Sequence, residues 1–310
     1  MKIKNKKLKI AVSVIAGVIL LFSALMVLNE EIGKPLPIPT WNDVFKALGL
    51  KDSAVLDEST KVYFVDVGQG DCEVIISNGQ VAVIDAGDVD YGDAVVAFLH
   101  SKGVKEIDLL VMTHAHSDHM GGMRKVVESF PVKKMITSEL PDAQVPTTKV
   151  YQNLLKAVLA KGGTLSYPKV GDTFVIGDGT LTVLSPSKNY DNLNDTSLIL
   201  RYDVRNTSFL FTGDAEKPAE RDLVESGFNV KVDVLKVGHH GSSTSSLDEF
   251  IKAAAPTYSI ISVGHDNSYN HPNKAVLARL EKVSTVYRTD IGGTVTAETD
   301  GQTITITTEK

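Results

Sequence analysis

The stretch Thr113-His114-Ala115-His116-Ser117-Asp118-His119 contains three imidazoles and a carboxylate within six consecutive residues. It follows directly on the apolar run 109–112, which is short, bounded and rich in branched side chains. Such a run predicts a buried parallel strand. Neutral imidazole nitrogens and carboxylate oxygens suit zinc, manganese or iron. The stretch therefore predicts a metal site at the end of a strand.

Further acids, amides and histidines stand beside other predicted strands. These residues are Asp85, Asp214, His239 and His240, each after an apolar run, and Asn194 and Asp195, just before the run that starts at Ser197. Open sheets present ligands at the carboxyl ends of their strands. Together with the first stretch, these residues fit one site that binds two metal ions about 3.5–4 Å apart.

The N-terminus has a different composition from the rest of the chain. Residues 1–9 hold five lysines and no acid, and residues 10–28 carry no charge. Nineteen uncharged residues are long enough to span a bilayer as a helix. An uncleaved signal anchor is the favoured interpretation, with its lysines in the cytoplasm; a cleaved signal peptide and a buried soluble helix are the alternatives. Residues 29–60, with Pro35, Pro37 and Pro39, read as a linker.

Charge and cysteine content narrow the function. The first nine residues hold five of the 32 basic side chains and none of the 38 acids, which leaves the rest of the chain with a net charge of −11. Nucleic-acid binding normally requires a basic surface. A net charge of −11 gives residues 10–310 no overall basic surface, which argues against a general nucleic-acid-binding protein. Cys72 is the single cysteine, which excludes an intrachain disulfide and a thiolate metal cluster.

From residue 61 onward, short strand and helix patterns alternate. Early hairpins followed by strand–helix units predict two mixed sheets with helices outside. We therefore expect an α+β domain at 61–310, preceded by a basic tail at 1–9, a transmembrane helix at 10–28 and the linker at 29–60.

These motifs resemble the metallo-β-lactamase superfamily, and within it the hydrolase domain of ComEC-type competence proteins and their stand-alone, membrane-anchored relatives. The resemblance covers about residues 62–307. It is carried by the segments 66–71, 84–87, 113–122, 194–200, 212–214, 236–242 and 269–272. It implies a four-layer αββα sandwich.

The resemblance also implies roles for individual residues. His114 and His116 would hold one metal ion, Asp118 and His119 the second, and Asp214 would bridge both. The last ligand of the second ion falls on His239 or His240, and the sequence does not choose between them. Asp85, Asp66 and Gln69 would lie behind the ligands and orient them by hydrogen bonds.

The chain departs from the superfamily pattern in one respect. Many members place a third histidine on the first metal ion, but no histidine occurs between His119 and Asp214. Asn194 or Asp195 occupies the expected place, and an oxygen ligand shifts the preference towards manganese. Two divalent ions, zinc or manganese, are the expected cofactors.

The expected chemistry is hydrolysis, because a metal pair lowers the pKa of a bridging water to near neutrality and makes it a nucleophile. The candidates for proton transfer are Asp118, His271 and one of the two adjacent histidines. The last is His240, or His239 if His240 is a metal ligand. Ser242 and Ser243 are weaker candidates for contacts to substrate oxygen.

Several substrate classes remain open at this point. An extracytoplasmic phosphodiesterase or nuclease, acting on DNA or on a small phosphodiester, is favoured by the ComEC-type resemblance. A phosphorylcholine esterase and a lactonase or β-lactamase-type hydrolase are the alternatives. A non-catalytic binding module is the least favoured, because nearly all ligand positions are filled.

Overall fold

The computed structural model describes Phe22, Ser23, Leu25, Ile38 and residues 59–310. The predicted anchor at 10–28 lies outside the described residues except for Phe22, Ser23 and Leu25, which are helical. The predicted linker at 29–60 lies outside them except for Ile38 and its last two residues. Within the described part of the chain, no helix is long and apolar enough to cross a membrane.

The first half of the described chain alternates strands and helices. Its elements are β1 (Thr60–Phe64), β2 (Glu73–Ser77), β3 (Gln80–Ile84), α1 (Gly92–Ser101), β4 (Leu109–Met112), α2 (Ser117–Met120), α3 (Met123–Ser129), β5 (Met135–Thr137), α4 (Lys149–Ala160) and β6 (Leu165–Ser166).

The second half continues in the same manner. Its elements are β7 (Thr173–Ile176), β8 (Gly179–Ser185), β9 (Ile199–Val204), β10 (Thr207–Phe211), α5 (Lys217–Glu225), β11 (Val234–Lys236), α6 (Asp248–Ala254), β12 (Tyr258–Ile261), α7 (Lys274–Leu280), β13 (Thr285–Arg288), α8 (Thr289–Gly292), β14 (Val295–Thr299) and β15 (Ile304–Thr308).

These strands form two mixed sheets, as the sequence predicted. The first sheet has the order β15-β14-β1-β2-β3-β4-β5-β6, and the second has the order β13-β12-β11-β10-β9-β8-β7. Strands β3 to β6 run parallel to one another, as do β10 to β13. Parallel strands need crossover connections, and helices α1, α3 and α4 supply them in the first sheet.

Three apolar cores hold the layers of residues 59–310 together. The central core lies between the sheets and includes Phe64, Ile84 and Phe211. A second core packs the outer face of the first sheet against the helices of the first half, and a third packs the second sheet against α5, α6 and α7. The order of layers is therefore helix, sheet, sheet, helix. Burial on both faces explains why β4 is apolar throughout and why every residue of β10 is buried.

The sequence predicted a helix over residues 121–130, and the structure has α3 there; the single turn α2 precedes it, separated from α3 by Gly121 and Gly122. Both glycines keep helical dihedrals. A Cβ on Gly122 would lie 2.1 Å from the carbonyl oxygen of Ala86, and one on Gly121 would lie 2.3 Å from the backbone nitrogen of Val89. These two positions let the chain after β4 approach the chain after β3 more closely than other residues allow.

Candidate metal centre

The histidine-rich stretch leaves β4 and turns at once into the single turn α2. His116 has extended dihedrals at the start of this turn, and Asp118 and His119 lie within it. This change of backbone direction aims the side chains of His114, His116, Asp118 and His119 into the same space. Asp214 follows β10, and His239 and His240 follow β11, so the second sheet delivers its residues to the same edge.

One group of possible ligands combines residues from both sheets. Asp118, His119, Asp214 and His240 each offer one atom within 4.8 Å of the others. The Nε2 atom of His119 lies 3.2 Å from Asp214 Oδ1, and that of His240 lies 3.3 Å from Asp118 Oδ2 and 3.5 Å from Asp214 Oδ1.

A second group shares Asp214 with the first. His114, His116 and Asp214 also offer atoms within 4.8 Å of one another. His114 Nε2 lies 3.0 Å from His116 Nδ1 and 3.8 Å from Asp214 Oδ2. Its other nitrogen is 3.3 Å from the hydroxyl of Ser197, which fixes the ring. Each carboxylate oxygen of Asp214 thus faces a different group, so this residue is common to both groups.

The ligating atoms fit a metal because they are buried without other partners. His119 Nε2, His240 Nε2 and Asp214 Oδ1 have no hydrogen-bond partner, and neither does the buried Oδ1 of Asn194. Unpaired polar atoms of this kind are costly in a protein interior unless an ion satisfies them. Imidazole nitrogen and carboxylate oxygen are the donors that divalent transition metals take.

Asp85 holds two parts of the site in place. Its carboxylate is fully buried and accepts hydrogen bonds from the backbone nitrogen and hydroxyl of Thr113, and its Oδ2 lies 2.7 Å from His119 Nδ1. This contact fixes the ring so that Nε2 faces the other ligands, an arrangement that metal-ligating histidines commonly use. The residue itself has a φ of +57°, a conformation that is uncommon for aspartate and recurs at functional sites.

Asp71 and Lys236 form a buried ion pair behind the centre. Lys236 Nζ lies 2.7 Å from Asp71 Oδ2, and Asp71 Oδ1 lies 3.2 Å from His240 Nδ1. The same imidazole nitrogen is 2.9 Å from the carbonyl oxygen of Ser262. No role was predicted for this pair from the sequence. The sequence did contain a hint of it, since Lys236 interrupts the apolar run 234–237. A charged side chain in a buried strand is almost never found without a partner of opposite charge.

The structure distinguishes His239 from His240. His240 is buried and joins the ligand group with Asp118 and His119, whereas His239 is outside both groups. The Nδ1 atom of His239 lies 3.0 Å from Glu216 Oε1, and its Nε2 atom lies 3.7 Å from Asp214 Oδ2. Glu216 also accepts from Asn192 and Asn194, and no role had been predicted for it.

The carboxylates and imidazoles of the site shift one another's pKa values. Burial raises the pKa of Asp214, but His119 and His240 outweigh it and hold that pKa well below the usual range. Burial lowers the pKa of His240, yet Asp214 and Asp71 outweigh this effect and raise it to about 10. For His114, burial lowers the pKa well below its ordinary value, which favours the neutral, metal-binding form.

Not every predicted residue reaches the cluster. Asp195 instead accepts from the backbone nitrogens of Glu216 and Ala219 at the start of α5, which occupies its carboxylate. Asp66 accepts a hydrogen bond from the backbone nitrogen of Gly68 and does not contact a possible ligand. The carboxylate that lies behind His240 is that of Asp71. The hydroxyl of Ser242 forms a hydrogen bond with that of Thr244, and Ser243 is exposed. Neither serine lines the cavity that leads to the cluster.

An open cavity of about 330 Å³ leads to the cluster. Its walls are Gln69, His116, Ser117, Asp118, Asn194, Asp214, His239, His240, Tyr269 and His271. Burial, followed by the charges of His239 and His240, lowers the pKa of His271 to about 4. A second cavity of about 610 Å³ adjoins the first at Gln69. Its polar walls include Asp66, Asp88, Asp90, Asp266, Asp290 and Lys310.

Comparison with known families identifies the fold. The sequence profile of the metallo-β-lactamase superfamily matches residues 65–265, about two thirds of the chain. The chain belongs to the metallo-β-lactamase superfamily. It is therefore a superfamily hydrolase whose histidine and aspartate clusters are suited to divalent metal ions.

The related sequences include ComEC-type competence proteins, in agreement with the sequence analysis. ComE operon protein 3 of Bacillus subtilis is 34% identical over 260 residues, which are 77% of this chain and 33% of that protein. Competence protein ComA of Neisseria gonorrhoeae is 30% identical over 249 residues, which are 78% and 33% of the two chains. The chain thus spans about one third of the length of these curated relatives.

Two solved structures share the fold at low identity. YhfI, a metallo-β-lactamase fold protein of Bacillus subtilis, is 12% identical with a TM-score of 0.51 over 77% of this chain and 100% of its own. CmlA, a diiron β-hydroxylase of Streptomyces venezuelae, is 15% identical with a TM-score of 0.51 over 77% and 54% of the two chains. At this identity they show the fold alone.

Proposed function

We propose that this protein is a metal-dependent phosphodiesterase that acts as a nuclease or on small nucleotide esters outside the cytoplasm. The observation that carries the proposal is the pair of ligand groups that share Asp214, with a buried amide oxygen of Asn194 where many superfamily members have a histidine. Oxygen ligands favour harder ions such as manganese, which suit phosphate oxygens. The competence proteins among its relatives support the same substrate class.

In this proposal, the residues of the site hold the metal ions, orient the ligands or face the substrate. His114, His116 and Asp214, with Asn194, would hold one ion, and Asp118, His119, Asp214 and His240 would hold the other. When bound, such ions supply Lewis acidity and lower the pKa of water towards neutrality. Asp85 and Asp71 keep the rings of His119 and His240 oriented, while His239 and His271 face the substrate cavity. The side chain of Asp118 is partly exposed to this cavity, so it remains a candidate for proton transfer.

A second candidate is an esterase of cationic phosphodiesters such as phosphorylcholine compounds. The cavity that adjoins the metal cavity carries five aspartates and one lysine. A negatively charged surface attracts cations and repels further phosphate groups. This observation favours a substrate with few negative charges beyond the one phosphate that is cleaved.

A substrate panel tests the proposal. The purified full-length protein, loaded with manganese or zinc, is assayed on bis(p-nitrophenyl) phosphate, single-stranded DNA, p-nitrophenylphosphorylcholine, a lactone and a cephalosporin. We expect turnover of phosphodiesters. Turnover of the lactone or the cephalosporin with inert phosphodiesters would contradict the proposal, and the absence of both turnover and bound metal would favour a binding module.

Variants provide the matched controls for this panel. His116→Ala and Asp214→Ala should abolish turnover while circular dichroism shows an unchanged fold. His100→Ala, which removes an exposed histidine of α1, should behave like the wild type. Retained activity in Asp214→Ala would exclude Asp214 as the bridging ligand.

The proposed location rests on the lysine-flanked apolar segment 10–28. In the proposal this segment anchors the chain and leaves the hydrolase domain outside the cytoplasm. Protease added to intact cells should then digest the domain but not residues 1–9. Protection of the domain until the cells are lysed would contradict this location.

A further inference from the structure

The mouth of the metal cavity carries an exposed aromatic ring. Tyr269 is 64% exposed, yet it lines the cavity that leads to the ligand groups. Its ring stacks on His271 with centroids 5.8 Å apart and planes 24° apart. His271 in turn meets His239 edge to face at 5.7 Å, and His239 Nε2 lies 3.7 Å from Asp214 Oδ2. A short series of rings thus connects the open surface to the bridging aspartate.

The loop that presents this tyrosine is firmly held. The side chain of Asn267 makes four hydrogen bonds within the loop: its amide donates to the carbonyls of Gly264 and His271, and its oxygen accepts from the backbone nitrogens of Tyr269 and His271. Asn270, between the two rings, has a φ of +57°. Strained, over-determined backbone of this kind is concentrated at ligand sites.

The loop is also tied to the metal centre itself. The backbone nitrogen of Gly264 donates to Gln69 Oε1 at 3.3 Å, and that of Asn273 donates to the carbonyl oxygen of Gly241, the residue after His240. A Cβ on Gly241 would lie 2.7 Å from Pro272. The position of the Tyr269 ring relative to the ligands is therefore set by contacts on both sides of the cavity.

From this geometry we propose that Tyr269 is a stacking platform for a nucleobase next to the scissile phosphate. The inference rests on the proposed phosphodiesterase function and narrows its substrate class to nucleotide esters. One face of the ring is covered by His271, and the exposed face is available to a flat partner. Base–aromatic stacking tolerates any base, because every base has a π-face.

The chemistry of the walls favours a base over a quaternary ammonium group. Such cations are recognised by cages of several aromatic rings. Among the residues that line the metal cavity, Tyr269 is the one with a phenol, and its nearest ring is an imidazole in a stacked arrangement. A single ring that extends a stack suits a planar ligand.

Two matched substrates test the platform. The p-nitrophenyl ester of thymidine 5′-monophosphate carries a base on the side that stays with the phosphate, and methyl p-nitrophenyl phosphate has the same leaving group without a base. In the wild-type full-length protein we expect a higher kcat/KM for the thymidine ester. In Tyr269→Ala the ratio of the two kcat/KM values should fall about 10-fold, since one stacked base contributes this order of affinity.

Further variants separate stacking from other roles. Tyr269→Phe should keep the wild-type ratio, because stacking needs the ring and not the hydroxyl. Tyr167→Ala removes a tyrosine that is 48% exposed outside the cavity, and it should also keep the ratio. Circular dichroism and the melting temperature establish that each variant is folded.

The outcomes distinguish the two proposals. An unchanged ratio in Tyr269→Ala, an equal loss on both esters, or a loss confined to p-nitrophenylphosphorylcholine would each overturn the stacking platform while leaving phosphodiester hydrolysis intact. A wild-type protein that hydrolyses none of these esters would overturn the proposed function itself.

Discussion

At the scale of single residues, the adjacent histidines His239 and His240 have different environments. Both have positive φ values, 47° and 51°, so the backbone turns sharply between them and sends the two rings to different places. His240 is buried among possible ligands, whereas His239 contacts Glu216 at the cavity wall. This difference leads to opposite expectations for two neighbouring substitutions.

His240→Ala should remove one metal ion per chain, whereas His239→Ala should keep the wild-type stoichiometry. Elemental analysis of the dialysed, manganese-loaded protein measures the ratio of metal to protein directly. Loss of metal from His239→Ala with full occupancy in His240→Ala would reverse the assignment.

The buried pair of Lys236 and Asp71 should be sensitive to removal of one partner. Lys236→Met removes the nearest cation from the buried Asp71 carboxylate, and we expect a loss of about 3–5 kcal/mol in the free energy of unfolding. Denaturant titration of the metal-free protein measures this value. The double variant Asp71→Asn/Lys236→Met should recover part of the loss, and additive effects of the two changes would show that the pair is not coupled.

At the scale of secondary-structure elements, α5 is joined to the segment before α6 by one buried carboxylate. Glu220 accepts hydrogen bonds from the backbone nitrogens of Ser246 and Leu247 at 2.6 and 2.8 Å. Burial raises the pKa of Glu220 from 4.5 to about 7. The folded protein therefore binds this proton more tightly than the unfolded chain does.

The contribution of Glu220 to stability should decrease as the pH rises. It is fully present below about pH 4.5 and is lost as the pH rises through about 7. Between pH 5 and pH 8 the wild type should lose about 2–3 kcal/mol more than Glu220→Gln, which cannot ionise. Urea unfolding at both pH values gives the difference. Parallel pH profiles in the two proteins would show that Glu220 does not titrate in this range.

The elements also show what sequence patterns can predict. The apolar runs before Asp85, His114, Asp214 and His239 predicted strands that end at one edge, and the two sheets bear this out because burial on both faces leaves a clear apolar signature. The single turn α2 escaped prediction, because the geometry at its end depends on the close approach of Gly121 and Gly122 to a distant segment.

The site was less accessible to sequence reasoning than the strands. Asp71 and Lys236 are 165 residues apart, and no local pattern pairs them. Asn194 and Asp195 are neighbours with similar side chains, and only the position of α5 shows that the Asp195 carboxylate is already engaged there. Such distinctions arise from tertiary packing rather than from spacing.

At the scale of the whole molecule, the metal centre joins the two sheets. His114, His116, Asp118 and His119 follow a strand of the first sheet, whereas Asp214 and His240 follow strands of the second. Bound ions should therefore stabilise the folded domain, since the unfolded chain does not hold these residues together.

Removing the ions with a chelator should lower the thermal midpoint. At a free metal concentration 100 times the dissociation constant, bound metal adds about 3 kcal/mol to the free energy of unfolding. Differential scanning calorimetry with and without EDTA measures the shift. Asp214→Ala, which removes the residue common to both groups, should show little shift, and an equal response in this variant and the wild type would contradict the arrangement.

The ligands also span the chain from His114 to His240, and this has a consequence for biosynthesis. A nascent chain that has completed α2 already carries four of these residues but lacks Asp214 and His240, so it has no complete centre. Both sheets must form and pack before the two ligand groups exist. Hydrolytic competence therefore requires the folded domain, in whichever compartment the chain finishes folding.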